Sequence, residues 1–211
     1  MNSVIYRKYF PEINDRKLAL LEEFKNQCLL WNESINVISR KDTDSFEINH
    51  VLHSLSIAKV FKFKEGTKIM DFGTGGGFPG LPLAIFFPDV NFTLVDSIGK
   101  KMKVVRAIRD SLSLNNVEVI EGRVEEITEK FDYVTCRAVG RLNKILPWVV
   151  RSIKDSQFNE QPNGFIFLKG GDLAEELSEI DLPYKRIPIS KYFEEPFFET
   201  KEIVYLSKHL K

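Results

Sequence analysis

A glycine-rich segment, Asp71-Phe-Gly-Thr-Gly-Gly-Gly-Phe-Pro-Gly80, begins inside the short apolar run at residues 68–72. The apolar run predicts a buried β-strand, and Pro79 suits the first turn of a helix that starts near residue 80. Glycines between a strand and a helix let backbone N–H groups approach a ligand closely, with φ values that other residues resist. In doubly wound α/β sheets, ligands bind outside the carboxyl ends of the strands. The segment is therefore predicted to be a ligand-binding loop in such a sheet.

Alternating strands and helices around this loop predict an α/β fold. Five predicted strands (68–72, 91–95, 117–120, 131–136 and 164–169) alternate with helical stretches near 80–87, 98–113, 123–129, 141–153 and 172–180. This alternation is typical of right-handed βαβ crossovers and a mostly parallel sheet. Two later apolar segments, 184–189 and 203–207, predict a terminal antiparallel pair. The pair favours the Rossmann-like, seven-stranded, mostly parallel sheet of class I methyltransferases, with helices on both faces, over a plain dinucleotide-binding fold.

The start of the chain is predicted to be helical. Asn14 has a side chain suited to the N-cap of one helix, and Asp44 with Glu47 three residues later indicates the start of another. We expect residues 1–64 to form a helical extension of a methyltransferase domain at 65–211, the two making one compact unit rather than independent domains.

The glycines leave two cofactor classes open. Gly75, Gly77 and Gly80 match the G-x-G-x-x-G pattern of NAD-binding proteins, which is a weak signal alone. The carboxylate of Asp71, ahead of the glycines, suits the methionine amino group of S-adenosylmethionine but would repel a pyrophosphate. Asp96 closes the second predicted strand and suits the ribose hydroxyls of either cofactor. The aspartates together favour S-adenosylmethionine, with NAD and a merely structural tight turn as alternatives.

Composition excludes several classes of protein. The 211 residues are 43% hydrophobic and 28% charged, as in an ordinary globular domain. No apolar run reaches the roughly 20 residues of a membrane helix, and the start lacks the features of a secretory signal. Two cysteines, Cys28 and Cys136, make neither a disulfide framework nor a zinc site. We expect a cytoplasmic protein without a metal or a membrane partner, and we favour a monomer.

Charge is balanced overall but not locally. Thirty basic residues offset thirty acidic ones, so net charge alone does not indicate a nucleic-acid partner. Five basic residues and no acidic one nevertheless lie between Lys100 and Arg109. These side chains could contact phosphate groups, or they could form a solvated helix face.

Further distinctive segments accompany the run Gly75-Gly-Gly-Phe-Pro-Gly80: Asn36-Val-Ile-Ser-Arg-Lys-Asp42, His50-Val-Leu-His-Ser-Leu55, Thr93-Leu-Val-Asp-Ser97 with Lys100-Lys101, Gly122-Arg-Val-Glu-Glu126, Cys136-Arg-Ala138 and Leu168-Lys-Gly170. In this order, from about Trp31 to Gly170, they resemble the glucose-inhibited division protein B family of bacterial 16S ribosomal RNA guanine-N7 methyltransferases. The resemblance implies contacts with S-adenosylmethionine, or with the product S-adenosylhomocysteine, for five residues: Gly73, Phe78, Val124, Glu125 and Arg137.

The implied reaction needs little from the protein's ionisable groups. Guanine N7 has a free lone pair, so its methylation needs no general base, and the sequence shows no evident catalytic dyad. Arg137 follows the fourth predicted strand and is the candidate for positioning, because a guanidinium suits planar acceptors; a structural ion pair is the alternative. Lys100, Lys101, Arg123 and Lys169 are candidate contacts to RNA.

The three histidines, His50, His53 and His209, lack the spacing of metal ligands or of an activated nucleophile. His50 and His53 could face RNA as a pair, or they could be hydrogen-bonded structural residues. The resembling family usually has aspartate at the position of His53, so a role that needs this carboxylate does not carry over. We interpret three other conspicuous side chains as core residues: Cys136, Trp31 and Trp148.

The predicted function is therefore methylation of one guanine N7 in 16S rRNA, acting on the RNA or on the small ribosomal subunit. Two alternatives stay open. The methyl acceptor could be another RNA, a protein or a small molecule, or the protein could be a non-catalytic ribosome-assembly factor that retains the pocket.

Overall fold

Seven strands form one sheet in the part of the chain that the structure, a computed structural model, describes, namely residues 3–39 and 42–207. The strands are β1 (Lys68–Phe72), β2 (Asn91–Asp96), β3 (Val117–Glu121), β4 (Tyr133–Arg137), β5 (Gly164–Gly170), β6 (Tyr184–Pro188) and β7 (Lys201–Leu206). Their order is β3-β2-β1-β4-β5-β7-β6. Strands β1 to β5 are parallel, and β7 is antiparallel to both β5 and β6.

This strand order is that of a doubly wound sheet in which β7 is inserted between β5 and β6. The predicted terminal antiparallel pair is confirmed. Predicted strand bounds agree with the structure to within about two residues. The largest differences are at the starts of β4 and β7; β4 begins at Tyr133 because Phe131 makes an isolated bridge to Ile153 instead.

The helices are α1 (Ser3–Tyr9), α2 (Asp15–Asn32), α3 (His53–Val60), α4 (Gly80–Phe86), α5 (Gly99–Ser111), α6 (Leu142–Val149) and α7 (Ala174–Ser178). A π-helical segment, Glu47–Leu52, continues directly into α3. Of the helices that the structure describes, none combines the length and the apolar character that crossing a bilayer requires.

Side-chain alternation along the strands divides the core between the two faces of the sheet. Ile69 of β1 joins buried residues of α2, α3, α4 and α5, whereas its neighbour Met70 joins those of α6 and α7. Successive residues of a strand point to opposite faces, and a parallel sheet usually has both faces covered. Residues of α1 to α3 therefore contribute to one of the two apolar layers that enclose the sheet.

The two predicted starts of N-terminal helices have different outcomes. Asn14 caps α2, since its side chain accepts a hydrogen bond from the backbone N–H of Lys17 at 2.9 Å, which confirms the prediction. The second helix predicted from Asp44 and Glu47 is present, but Asp44 does not cap it. The helical segment begins after Phe46 without a side-chain cap. The carboxylate of Glu47 binds Lys25 at 2.6 Å, so it is not available to close a capping box.

Three predicted helices are shorter in the structure. Residues 123–129 form only a 3-10 turn, Val124–Glu126, in which Val124 alone is buried. A single buried side chain does not compensate for the cost of nucleating an α-helix. The stretch predicted at 141–153 is α6 followed by a 3-10 turn, and the stretch at 172–180 is reduced to α7.

Candidate active site

A cavity of about 470 Å³ lies at the carboxyl ends of β1, β2 and β4. Its walls come from the glycine loop, the end of β2, the segment after β3 and residues 137–139 after β4. Sites for small ligands usually measure about 300–1,000 Å³. The cavity lies where the strand order reverses between β1 and β4, the position at which doubly wound sheets bind ligands.

The glycine loop is fixed to the neighbouring strand by its backbone. The N–H groups of Gly73 and Thr74 donate to the carbonyl oxygen of Val95, at 2.8 and 3.2 Å. Gly73 has a φ of +63°, and a Cβ at this position would overlap the side chain of Val139. Glycine is therefore required at residue 73 both by the backbone conformation and by the space available.

Asp71 lies beneath the loop and not in the cavity, which corrects the prediction that its carboxylate meets the ligand directly. Its side chain is fully buried. The carboxylate accepts hydrogen bonds from the hydroxyls of Thr74 and Thr135, at 2.5 and 3.0 Å, and from the N–H of Gly80 at 2.9 Å. Burial raises the pKa of Asp71 to about 6, against the opposing effect of these hydrogen bonds. Asp71 holds the two ends of the loop together.

Asp96 lines the cavity at the end of β2. Its two oxygens accept hydrogen bonds from the backbone N–H groups of Gly75 and Ile98, both at 2.9 Å. A carboxylate has about four lone-pair positions, so Asp96 can accept further hydrogen bonds from ligand hydroxyls. This geometry fixes the direction of the carboxylate before a ligand arrives.

The wall of this cavity that follows β3 and includes α6 is partly apolar. Val124 is buried and Glu125 is exposed, and both line the cavity. Trp148 also lines it and is 43% exposed, so the interpretation of Trp148 as a core residue is wrong. Its indole packs edge-on against Phe72, with ring centroids 6.1 Å apart. The apolar context of Trp148 in α6 predicted burial because helical periodicity does not show where a helix borders a cavity.

Arg137, at the end of β4, connects the sheet to the N-terminal helices. Its guanidinium donates hydrogen bonds to the carbonyl oxygen of Asn49 at 3.2 Å and to Nδ1 of His50 at 3.0 Å. It also lies 4.7 Å from the centroid of the Phe78 ring. Burial lowers the pKa of Arg137 to about 10, so the side chain stays charged at neutral pH. Among the described residues its hydrogen-bond partners are uncharged, so the structure does not support the alternative of a structural ion pair.

Both described histidines are buried and neutral at physiological pH. Burial, followed by the charge of Arg137, lowers the pKa of His50 to about 4. The same two causes hold the pKa of His53 well below its ordinary value. Burial also raises the pKa of the Cys136 thiol, so it is a poor nucleophile. Its burial agrees with the interpretation of Cys136 as a core residue.

A second cavity, of about 440 Å³, shares Arg137 and Ala138 with the first. Asp42, Asn49, His50 and His53 form its N-terminal wall. The rest of its lining comes from the end of β5, from Leu173 and Glu176 in and beside α7, and from Phe197 and Lys201. The two cavities are therefore adjacent along the carboxyl edge of the sheet.

Comparison with known proteins gives the family of the chain. The family model GidB, described as rRNA small subunit methyltransferase G, matches residues 17–195. The chain belongs to this family. A relative from Cytophaga hutchinsonii, named Ribosomal RNA small subunit methyltransferase G, is 45% identical over 202 residues, covering 96% of this chain and 98% of that protein. A relative of the same name from Porphyromonas gingivalis is 47% identical over 207 residues, covering 96% and 92%.

Solved structures support the fold of the family. A SAM dependent methyltransferase from Aquifex aeolicus matches with a TM-score of 0.56 at 17% identity, covering 80% of this chain and 98% of that chain. The mitomycin 7-O-methyltransferase MmcR matches with a TM-score of 0.58 at 14% identity, covering 74% and 53%. The predicted class I methyltransferase fold and the resemblance noted in the sequence are both confirmed, and the chain is a methyltransferase rather than an NAD-dependent enzyme.

The structure places the predicted ligand contacts of this family member in three environments. Most line the first cavity: Gly73, Gly75, Phe78, Asp96, Val124, Glu125 and Arg137. Gly77 does not, because it lies against Leu81, whose side chain a Cβ would overlap. Asp71 is buried below the loop, as described above.

Only two of the four candidate RNA contacts share a cavity. Lys101 and Arg123 line the first cavity, whereas Lys100 is exposed outside both cavities. Lys169 lines the second cavity, where its Nζ donates to Glu176 and to the carbonyl oxygen of Gly140, at 2.6 and 2.5 Å. Lys169 is thus held within the protein.

Sequence reasoning missed several residues of these cavities, among them Val37, Asp42, Asn49 and Phe197. The segment at residues 36–42, which resembles the family, carried the signal for the first two. His209, Arg40 and Lys41 lie outside the described residues. Within the described ranges, no cluster of three or more His, Cys, Asp or Glu side chains could hold a metal ion.

Proposed function

We propose that this protein transfers a methyl group from S-adenosylmethionine to N7 of a specific guanine in 16S rRNA of the small ribosomal subunit. The observation that carries the proposal is that every residue lining the first cavity lies within residues 17–195, which match the rRNA small subunit methyltransferase G family. The printed names of the relatives, ribosomal RNA small subunit methyltransferases, support the substrate. The choice of guanine N7 is the finer part of the proposal.

The first cavity fits S-adenosylmethionine in size and chemistry. Asp96, with its direction fixed by two backbone N–H groups, would accept hydrogen bonds from the ribose hydroxyls. Val124, Glu125 and Trp148 would flank the adenine. The loop at Gly73 and Gly75, with the aromatic ring of Phe78, would contact the methionine end. The product S-adenosylhomocysteine would occupy the same position.

The reaction requires the protein to align guanine N7 with the methyl carbon and the sulfur, and it requires no proton transfer. S-adenosylmethionine held in the first cavity would supply an activated methyl group: the lone pair of guanine N7 would form the new N–C bond as the C–S bond breaks, and the bonding electron pair would stay on sulfur. The positive charge passes to the purine, and no proton leaves. A reaction without proton transfer needs no general base or nucleophile from the protein. This agrees with the neutral state of His50 and His53 and with the raised pKa of the Cys136 thiol. Orientation of reacting groups can lower a barrier by several kcal/mol.

Mass spectrometry of 16S rRNA nucleosides tests the proposal directly. A bacterial strain that lacks the gene should lose one N7-methylguanine, and expression of the gene should restore it. In vitro, the purified protein should transfer labelled methyl groups to unmodified small subunits or to 16S rRNA. An unchanged nucleoside profile, or transfer to protein only, would contradict the proposal. Calorimetry with S-adenosylmethionine, and with NAD as a control, tests the cofactor separately.

We also propose that the protein acts in the cytoplasm as a monomer, without a metal. Cell fractionation tests the location, and light scattering of the purified protein tests the oligomeric state. Retention of methyl transfer in the presence of a chelator tests the absence of a metal requirement.

A further inference from the structure

The second cavity has no part in binding the cofactor as proposed above, yet it shares Arg137 and Ala138 with the cofactor cavity. It contains the side chains of His50 and His53, which are 7% and 6% exposed. Nε2 of each ring is buried and has no hydrogen-bond partner among the described residues. Nε2 of His50 lies 3.9 Å from a carboxylate oxygen of Asp42, beyond hydrogen-bond distance. Buried polar atoms of native proteins are nearly always paired, so each of these two atoms in the wall of one cavity can take a partner from a ligand that enters it.

The hydrogen bond at Nδ1 of each neutral ring determines whether its Nε2 is a donor or an acceptor. Nδ1 of His50 accepts from the guanidinium of Arg137 at 3.0 Å, so we assign the proton of this neutral ring to Nε2, which becomes a donor. The ring of His53 hydrogen-bonds to the backbone of Asn49. We assign that bond to Nδ1–H, so Nε2 of His53 is an acceptor. His50, which contacts Arg137 directly, therefore offers a donor, and His53 offers an acceptor.

The polar edge of guanine has the complementary order. Around the purine, N7 is followed by the acceptor O6 and then by the donors N1–H and N2–H₂. With N7 directed at the shared wall, O6 comes next to His50 and the donor edge next to His53. Enzymes that modify a base commonly extrude it into a pocket, read its Watson–Crick edge and stack it on an aromatic ring. Phe197 supplies such a ring, 5.4 Å from the ring of His53.

We propose that the second cavity receives the extruded target guanine, with His53 accepting a hydrogen bond from its N1–H and N2–H₂ edge, His50 donating to O6 and Phe197 stacking on the ring. This inference rests on the proposed function. Adenine presents an acceptor at N1 and a donor at N6, so it would place like groups against both histidines. The two rings thus make the site select guanine over adenine, although both bases have an N7.

Two substitutions of His53 test the hydrogen bond. His53→Leu removes the acceptor, whereas His53→Gln keeps a neutral side chain whose amide oxygen can accept. The substrates are small-subunit RNA with guanosine or adenosine at the target position. We expect His53→Leu to lower kcat/KM for the guanosine substrate about tenfold or more, and to reduce the preference for guanosine over adenosine. His53→Gln should recover most of both, and the Kd of S-adenosylmethionine should not change.

Phe197→Ala provides a second test if His53→Leu fails to fold, with Phe158→Ala as its control. Phe158 is 48% exposed and lines neither cavity. Loss of the stacking ring should lower kcat/KM for RNA about tenfold through KM, whereas Phe158→Ala should leave it unchanged. Unaltered kinetics in both His53→Leu and Phe197→Ala, in a protein that methylates the RNA, would overturn this inference alone. Failure of the unsubstituted protein to methylate any small-subunit RNA would instead overturn the proposed function.

Discussion

Asp71 affects the cavity without lining it, because its carboxylate joins the start of the glycine loop to Gly80 and to Thr135 of the neighbouring strand. A charge at this depth is unfavourable, and three hydrogen bonds compensate only in part, so its pKa stays raised at about 6. Substitution at this residue should therefore act on the loop and on the pH dependence of stability together.

Asp71→Asn should show this pH dependence. The folded pKa of about 6 lies above the ordinary value of 3.8, so the folded state gains a proton that the unfolded state lacks between these pH values. The contribution of Asp71 to stability is then greatest at low pH and is lost as pH rises through about 6. The unfolding free energy of the wild type, minus that of Asp71→Asn, should fall between pH 4 and pH 7 in denaturant titrations. A difference that is constant with pH would contradict the burial of an ionisable carboxyl.

Gly73→Ala separates backbone strain from crowding when it is compared with Gly66→Ala. Both glycines have positive φ, +63° and +79°, but a Cβ at Gly66 has no neighbour within 4 Å. Gly66→Ala should cost about 1 kcal/mol of stability for strain alone. Gly73→Ala should cost about 1–3 kcal/mol more because of the overlap with Val139, and should weaken cofactor binding. Equal effects of the two substitutions in denaturant titrations and calorimetry would contradict the crowding.

Trp148 should report cofactor binding by its fluorescence. The chain has two tryptophans, and Trp31 packs against the core away from the cavity, so Trp31→Phe leaves only the signal of Trp148. Titration of Trp31→Phe with S-adenosylmethionine should change the emission, whereas Trp148→Phe should give no change. The reverse result would place the adenine elsewhere.

At the scale of elements, the N-terminal helices are tied to the glycine loop by an aromatic cluster. Phe24 of α2 and Phe46 both contact the ring of Phe78, with centroids 5.3 and 5.9 Å apart from it. The ion pair of Lys25 with buried Glu47 joins α2 to the π-helical segment at 2.6 Å. The N-terminal helices thus support a loop far away in sequence.

Lys25→Met should destabilise this junction, because it leaves the carboxylate of Glu47 buried without its cation. We expect a loss of about 2–3 kcal/mol in unfolding free energy, somewhat below the usual cost for a fully buried pair since Lys25 is partly exposed. The double variant Lys25→Met/Glu47→Gln should recover part of the loss. Additive effects in this double-mutant cycle would show that the pair is not coupled.

The elements were predictable where local pattern and tertiary packing agree. The bounds of the strand at residues 68–72 were predicted correctly because its apolar run ends at the glycines. Asn14 was predicted correctly as an N-cap because the capping hydrogen bond involves only residues close to it in sequence. The helix predicted at 123–129 failed because its polar residues have no face to bury. The second cavity could not be predicted, since it joins Asp42 to Phe197, and only tertiary folding brings such distant residues together.

At the scale of the whole molecule, we propose that the N-terminal extension (1–64) and the methyltransferase domain (65–211) unfold as one unit, because both supply residues to the same apolar layer. Trp31 lies in the extension and Trp148 in the domain. The denaturation curves of Trp31→Phe and Trp148→Phe should each superpose with the curve from circular dichroism of the same variant. Separate transitions would mean that the two parts fold independently.

The position of Arg137 between the two cavities also affects the dissociation of the methylated product. The target base enters as a neutral purine, and methylation at N7 leaves it cationic, next to a guanidinium that keeps its own charge at neutral pH. Like charges at short range in a partly buried site repel each other. With the base bound as proposed, methylation lowers the affinity of the enzyme for the methylated RNA. Dissociation of the product is thereby favoured without a separate release step.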